Sequence, residues 1–288
     1  MKERYEIADG MLYLVDPELD LHIEEPFVLP YLPAVGDLAK KQVHGFEVHW
    51  SRAEEGHLER GYVKQAGYFH GQYLQFYPSG QVKGESFYKE GKLHGLSYFT
   101  SSEGVVLSST WFYEGVPVGK ARQFYSSGNL YSVQQYREGK LHGKQEYFYE
   151  DSSLKTKLFY ERGQLTGEAV LFWPSGQVKR RSLFEKGQRS GSDQIWSAEG
   201  ILLDHSEYKE GLPIGKHQRR YPNGVLKEEK VYHNPHQFDH FTWDEQGRLL
   251  SEAIYLDNSL FKETKVSWPE GVQHTREGRW DGNRICWN

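Results

Sequence analysis

The chain has 288 residues, 37% of them hydrophobic and 15% aromatic, with 35 Lys and Arg against 40 Asp and Glu. No apolar run reaches the roughly 18 residues of a membrane-spanning helix. The single cysteine, Cys286, excludes an internal disulfide framework and fits a reducing compartment.

Residues 1–44 come first and stand apart in charge. They hold Lys2, Arg4, Lys40 and Lys41 against nine acids, so 4 − 9 = −5. The remainder has 35 − 4 = 31 bases and 40 − 9 = 31 acids, which is zero. A neutral body argues against binding a nucleic-acid backbone, which needs a dominant basic field. An acidic end either attracts a basic partner or serves as a soluble tail. The acids in MKERYEIADGMLYLVDPELD interrupt any export-signal core, so the cytoplasm is the expected location. The Pro-broken segment EEPFVLPYLP fits no repeat, and residues 1–44 read as an acidic N-terminal cap.

From residue 45 onward the chain repeats. Gly71, Gly95, Gly119, Gly143, Gly167, Gly191 and Gly215 are each 24 residues apart. A second series runs in phase through Gly80, Gly104, Gly128, Gly176, Gly200 and Gly224, with Ser152 in the missing place. A third series contains Gly91, Gly115, Gly139, Gly163, Gly187 and Gly211, and three residues before each of these comes an aromatic ring. The regular core spans 71–238, with degenerate repeats at 45–70 and 239–288.

One unit, GQYLQFYPSGQVKGESFYKEGKLHG, contains two strand-length segments, Gln72–Tyr77 and Gln81–Tyr88, separated by the turn Pro-Ser-Gly. The second break, Lys-Glu-Gly-Lys-Leu-His-Gly, supplies two glycines to a reversal. The expected fold is all-β: an elongated, single-layer, solenoid-like antiparallel meander of about nine tandem hairpins, advancing roughly 9.6 Å per repeat to about 85 Å. Phe76, Phe124, Phe148, Phe172 and Trp196 share one position and are expected to form a ladder. Tyr77, Tyr125, Tyr149, Trp173 and Tyr221 share the next, so strand alternation sends them to the opposite face. Two readings of that second set stand: rings that cover and stabilise a thin sheet, or an exposed partner-binding strip.

The pattern Y-P-x-G-x-L/V-K…Y-x-x-G-x-x-x-G, in YPSGQVKGESFYKEGKLHG and YPNGVLKEEKVY, resembles the MORN-repeat variant found widely in bacterial proteins. The resemblance covers roughly 45–288 and is most specific over 71–238, while the Y-x-G-x-W form of eukaryotic MORN proteins is largely absent. It implies an extended hairpin sheet that serves as a binding scaffold. For the bacterial variant it implies the antitoxin or immunity component beside a toxin, with a membrane- or lipid-associated scaffold as the alternative.

No catalytic constellation emerges, and no cofactor is called for. Ser152–Lys155 matches Ser-x-x-Lys, but Ser152 replaces a turn glycine; Cys286 has no base in fixed register. The His-Gly pairs at 44, 70, 94 and 142 lie in units too far apart to share one ion. In HNPHQFDH, where Pro235 and Asp239 replace two glycines, His233, His236, Asp239 and His240 are either divalent-metal ligands or a degenerate polar turn.

Overall fold

The computed structural model describes residues 5–8, 11–14, 27–30, 32, 41–43, 45–257, 260–281 and 284–287. All regular structure among them is β-strand, and successive strands pair antiparallel as hairpins. Two compact units follow one another, Met1–Ser153 and Leu154–Asn288. The division falls inside the repeat array, and the segment before residue 45 groups with the first unit. Each repeat touches only its neighbours, so an array offers no composition boundary at such a division.

Two kinds of reversal alternate along the chain. The tight one is a two-residue turn: Glu90 and Gly91, between the paired Lys89 and Lys92, have φ of 51° and 81°. Both residues are left-handed, the twist that continues a right-handed strand pair, and glycine takes the second position without a Cβ clash. The wider turn is Tyr77-Pro78-Ser79-Gly80. The Gly80 N–H donates to the Tyr77 carbonyl at 2.9 Å, and the Tyr77 N–H donates to the Gln81 carbonyl at 2.8 Å. Proline presets the helical φ of the turn's second residue, and Gly80 closes it at φ 86°. Ser152 adopts the same left-handed conformation, φ 69°, in its own repeat.

The second glycine of Lys-Glu-Gly-Lys-Leu-His-Gly departs from expectation. Gly95 is not in the reversal but inside the strand Lys92–Thr100, at φ 112°. There the register to the strand Val82–Lys89 slips between Ser86 and Tyr88. It is a bulge, an added residue that bends the strand without ending it.

Within each unit, residues paired across successive strands form rows that cross the sheet. In the first unit one row runs Ser51, Arg60, Gln75, Gly84, Phe99, Ser108, Gln123, Ser132 and Tyr147. The opposite face carries the core. Val48 and Val63 are buried there with Leu32, and Phe46, Trp50 and Leu74 pack around them. The Leu32 N–H donates to Gln72 Oε1 at 2.9 Å, anchoring the N-terminal segment to the strand Tyr68–Phe76. The strands Tyr5–Ala8, Met11–Leu14 and Phe27–Pro30 make a separate three-stranded sheet, the last of them against Tyr68–Phe76.

The ladder expected of Phe76 and its equivalents is replaced by a different pairing. Phe76 faces Val82, Phe124 faces Leu130, Phe172 faces Val178 and Trp196 faces Leu202. Rings 24 residues apart lie two strands apart, about 9.6 Å, and an aliphatic side chain stands beside each instead.

Candidate functional site: the ionic face of the second unit

In the second unit the row homologous to Gln75–Gly84 becomes charged. It passes from Arg180 through Ile195, Asp204, Arg219 and Glu228, then Thr242 and Ser251, to Lys265 and His274. Strand alternation puts every second residue on this face, so a parallel row carries Ser182, Asp193 and Ser206. Beyond the bulge that row resumes as His217, Lys230, His240, Ala253, Glu263 and Arg276.

These charges form a connected network. Arg180 grips Asp193 with two donors, Nε to Oδ1 at 2.9 Å and Nη2 to Oδ2 at 2.6 Å. A guanidinium fork on a carboxylate is the strongest common geometry of this kind. Ser182 Oγ donates to Oδ1 at 2.8 Å, and Arg189 Nη1 lies 3.4 Å from Oδ2. Burial alone would raise the Asp193 carboxyl. The hydrogen bonds from Arg180 and Ser182, with the charges of Arg180 and Arg189, outweigh it and hold the group below its ordinary range. Arg219 bridges Asp204 at 3.1 Å and Glu228 at 3.4 Å. Glu228 also meets Lys230 at 3.6 Å and His240 Nε2 at 3.0 Å. The His240 contact is the largest cause of a Glu228 pKa held down at about 2, with Lys230 and Arg219 adding to it against the opposing effect of burial.

A polar groove of about 330 Å³ opens over Arg180, Asp193, Asp204, Arg219 and Glu228. Rings line its margin. Tyr208, His217 and Tyr232 follow each other with centroids 5.1 and 4.6 Å apart, and Phe238 continues at 5.3 Å. Tyr208 is the aromatic that precedes Gly211, Tyr232 holds the same place before Pro235, and Phe238 faces Tyr232 across the next strand pair. The groove therefore combines fixed charge with flat apolar surface.

The rings singled out in the sequence sit elsewhere. Tyr77, Tyr125, Tyr149, Trp173 and Tyr221 are all half-buried, and each is the first residue of a wide turn rather than a strand residue. Alternation does not reach them, because the ladder slips just before the turn, between Gln75 and Phe76 in the first case. Four of them reach into the following repeat. Tyr77 Oη donates to the Thr100 carbonyl, Tyr125 Oη to that of Phe148 and Tyr221 Oη to that of Trp243, each at 2.9 Å. Trp173 Nε1 donates to the Trp196 carbonyl at 3.2 Å. The lysine six residues on covers the ring, Lys83 over Tyr77, Lys179 over Trp173 and Lys227 over Tyr221. The Tyr-Pro-x-Gly-x-Val/Leu-Lys signature is thus a turn, a staple to the next repeat and a lid on the staple. Where the ring is absent, Ser101, Ser197 or Asp244 accepts hydrogen bonds from its own turn's backbone N–H groups instead.

The structure does not bring His233, His236, Asp239 and His240 together. Asp239 and His240 are strand neighbours and point to opposite faces. His233 Nε2 lies 3.1 Å from Asp239 Oδ2, His240 turns to Glu228, and His236 sits in the exposed turn. Among the described residues no group of three His, Cys, Asp or Glu is placed to hold a metal ion. Cys286 is exposed, with Sγ 3.3 Å from Asp281 Oδ2.

Arg180, Arg219 and Glu228 do not stand out from the repeat pattern, although the sequence carries a signal for them. Column by column, Gly84, Ser108, Ser132 and Thr156 give way to Arg180, Asp204 and Glu228, and Gln75, Phe99 and Gln123 to Arg219.

The family model for the MORN repeat variant matches residues 69–90, 117–138, 141–162 and 213–234, and the chain carries repeats of this family at those four places. Each match runs from one tight turn to the next, one hairpin with the wide turn at its centre. No curated protein matches the chain. Repeats of this family form scaffolds that bind proteins or membranes and are typically non-catalytic.

Proposed function

We propose that this MORN-variant repeat protein is a non-enzymatic protein-binding scaffold whose contact surface is the ionic face of the second unit. The observation that carries the reading is the row from Arg180 to Lys265, which turns charged where the matching row of the first unit is almost neutral. An ordered array of half-exposed charges beside a ring margin favours partner choice and orientation over catalysis. In its sharper form, the partner is a toxin or effector and the chain is the antitoxin or immunity component that occupies it. Trp173 and Tyr221 join the proposal as the turn-edge rim of this face, and Tyr77, Tyr125 and Tyr149 as the corresponding rim within the first unit.

Affinity purification of the full chain from its native host, with mass spectrometry of stoichiometric partners, tests the scaffold reading. The antitoxin form expects a single partner that arrests growth when expressed alone and is silenced by co-expression. A partner without toxicity removes that form and leaves the scaffold. The second reading, a membrane- or lipid-associated scaffold, draws on the Lys and Arg of the same face. Flotation with anionic liposomes decides it, since the protein-binding reading expects no flotation at physiological salt.

A further inference from the structure

Resting on the scaffold reading, we propose that the ionic face of the second unit recognises an extended acidic segment of its protein partner, with carboxylates spaced to meet Arg180, Arg219 and Lys265. Six fixed cations share this face, Arg180, Arg189, Arg219, Lys230, Lys265 and Arg276. Four carboxylates face them, Asp193, Asp204, Glu228 and Glu263, so the face carries 6 − 4 = +2. The sign is opposite to that of residues 1–44.

The carboxylates are shared in a way that leaves donors in water. Asp193 is held by Arg180 and Arg189, Glu228 by Arg219 and Lys230, and Glu263 by Lys265 and Arg276. A guanidinium has five N–H donors, and Arg219 spends two on its bridge while 67% of its side chain stays exposed. Lys265 is 54% exposed. The internal partners hold these cations in place at little cost to their capacity for a further carboxylate, which is the condition for preorganised recognition.

The geometry selects the kind of acid. Arg180 and Arg219 lie three strands apart in one row, about 14 Å, and Arg219 and Lys265 four strands apart, about 19 Å. An extended chain laid along the row advances about 3.3 Å per residue and meets a cation roughly every four to six residues. A surplus of two charges over such a span is too sparse to neutralise a nucleic-acid backbone. A basic partner would meet six like charges. The rings of Tyr208, His217 and Tyr232 beside the row supply apolar contact for the residues between the acids.

The test uses the full chain and a fluorescein-labelled glutamate–serine repeat peptide about twelve residues long, enough to span about 40 Å. A lysine–serine peptide and phosphatidylserine vesicles serve as comparisons. Fluorescence anisotropy is expected to show saturable binding of the glutamate peptide, weakened by salt, and none of the lysine peptide. The pair Arg219→Gln and Lys265→Gln, both on exposed side chains, should weaken it about tenfold with an unchanged unfolding temperature. Absence of saturable binding, equal affinity of the double variant, or preference for the vesicles would each overturn the proposal. The same variant separates it from the scaffold reading. A captured partner held equally by Arg219→Gln/Lys265→Gln leaves the scaffold standing and removes this face from it. Binding of the glutamate peptide with no captured partner does the reverse.

Discussion

The two units build the same row from different chemistry. Of nine positions between Ser51 and Tyr147 one is charged, Arg60, and Ser86 and Ser97 in the adjacent row share a hydroxyl hydrogen bond of 2.7 Å. In the second unit the equivalent positions hold Arg180, Asp204, Arg219, Glu228 and Lys265. Conversely, the first unit owns the apolar cluster around Leu32, Val48 and Val63, closed by the N-terminal segment. Because turns and bulges fix the backbone, side chains on either face are free to specialise. One unit spends that freedom on burial and the other on charge.

The contrast can be broken from either side. The largest effect is expected from Leu32→Ala, which empties a site where only 2% of the residue is exposed. It should cost about 3 kcal/mol and release the N-terminal segment. Differential scanning calorimetry reads the cost, and hydrogen exchange across the strand Tyr68–Phe76 reads the release. Exchange in the strands 202–209 and 226–234 should stay as it was. Next comes Asp193→Ala, which leaves Arg180 and Arg189 facing each other without their shared carboxylate. A loss of about 2 kcal/mol is expected, discounted for the water that still reaches both arginines. A loss near zero would mean the network contributes no more than an exposed ion pair.

Acid sharpens the comparison further. Glu228 has a folded pKa of about 2 against an ordinary 4.5. A depressed carboxyl contributes stability that is complete above the unfolded value and is lost as pH falls through the folded one. Between about pH 4.5 and 2 the second unit should therefore weaken, by about 1 kcal/mol after solvent screening. Urea unfolding across that range should show a shallower slope in Glu228→Gln than in the wild type. The smallest effect belongs to Tyr221→Phe, which removes the bond to the Trp243 carbonyl and keeps the ring under Lys227. About 0.5 kcal/mol is expected from thermal unfolding.

Much of this architecture is legible in the residues. A left-handed φ recurs wherever the glycine series recurs, so the 24-residue spacing carries both the turns and the hairpin count. What stayed hidden depended on register. Gly95 reads as part of a reversal until its strand is seen to run through it, and Tyr77 reads as a strand residue until the slip at Gln75 is known. The ionic face was concealed for a related reason. Arg180 lies tens of residues before Arg219 and Glu228, and only strand pairing sets them in one row. A consensus built to find repeats attends to the positions that agree, whereas the specificity of a scaffold lies in the columns that differ.

The alternation of tight and wide turns has a further consequence. A unit adds two strands, an even number, so duplicating or deleting one returns every later side chain to the face it occupied before. The hairpin containing His233 to His240 shows the tolerance of this counting. It lacks the bulge glycine, its register runs unbroken from Lys230 and His240 to Tyr232 and Phe238, and Gly247 follows Gly224 after 23 residues instead of 24. A missing residue was absorbed where a spare one had been carried, and no face changed sides. Such a chain can lengthen or shorten its surface by whole hairpins over generations, like a ruler cut or spliced only at its marks, without rewriting what is inscribed on either side.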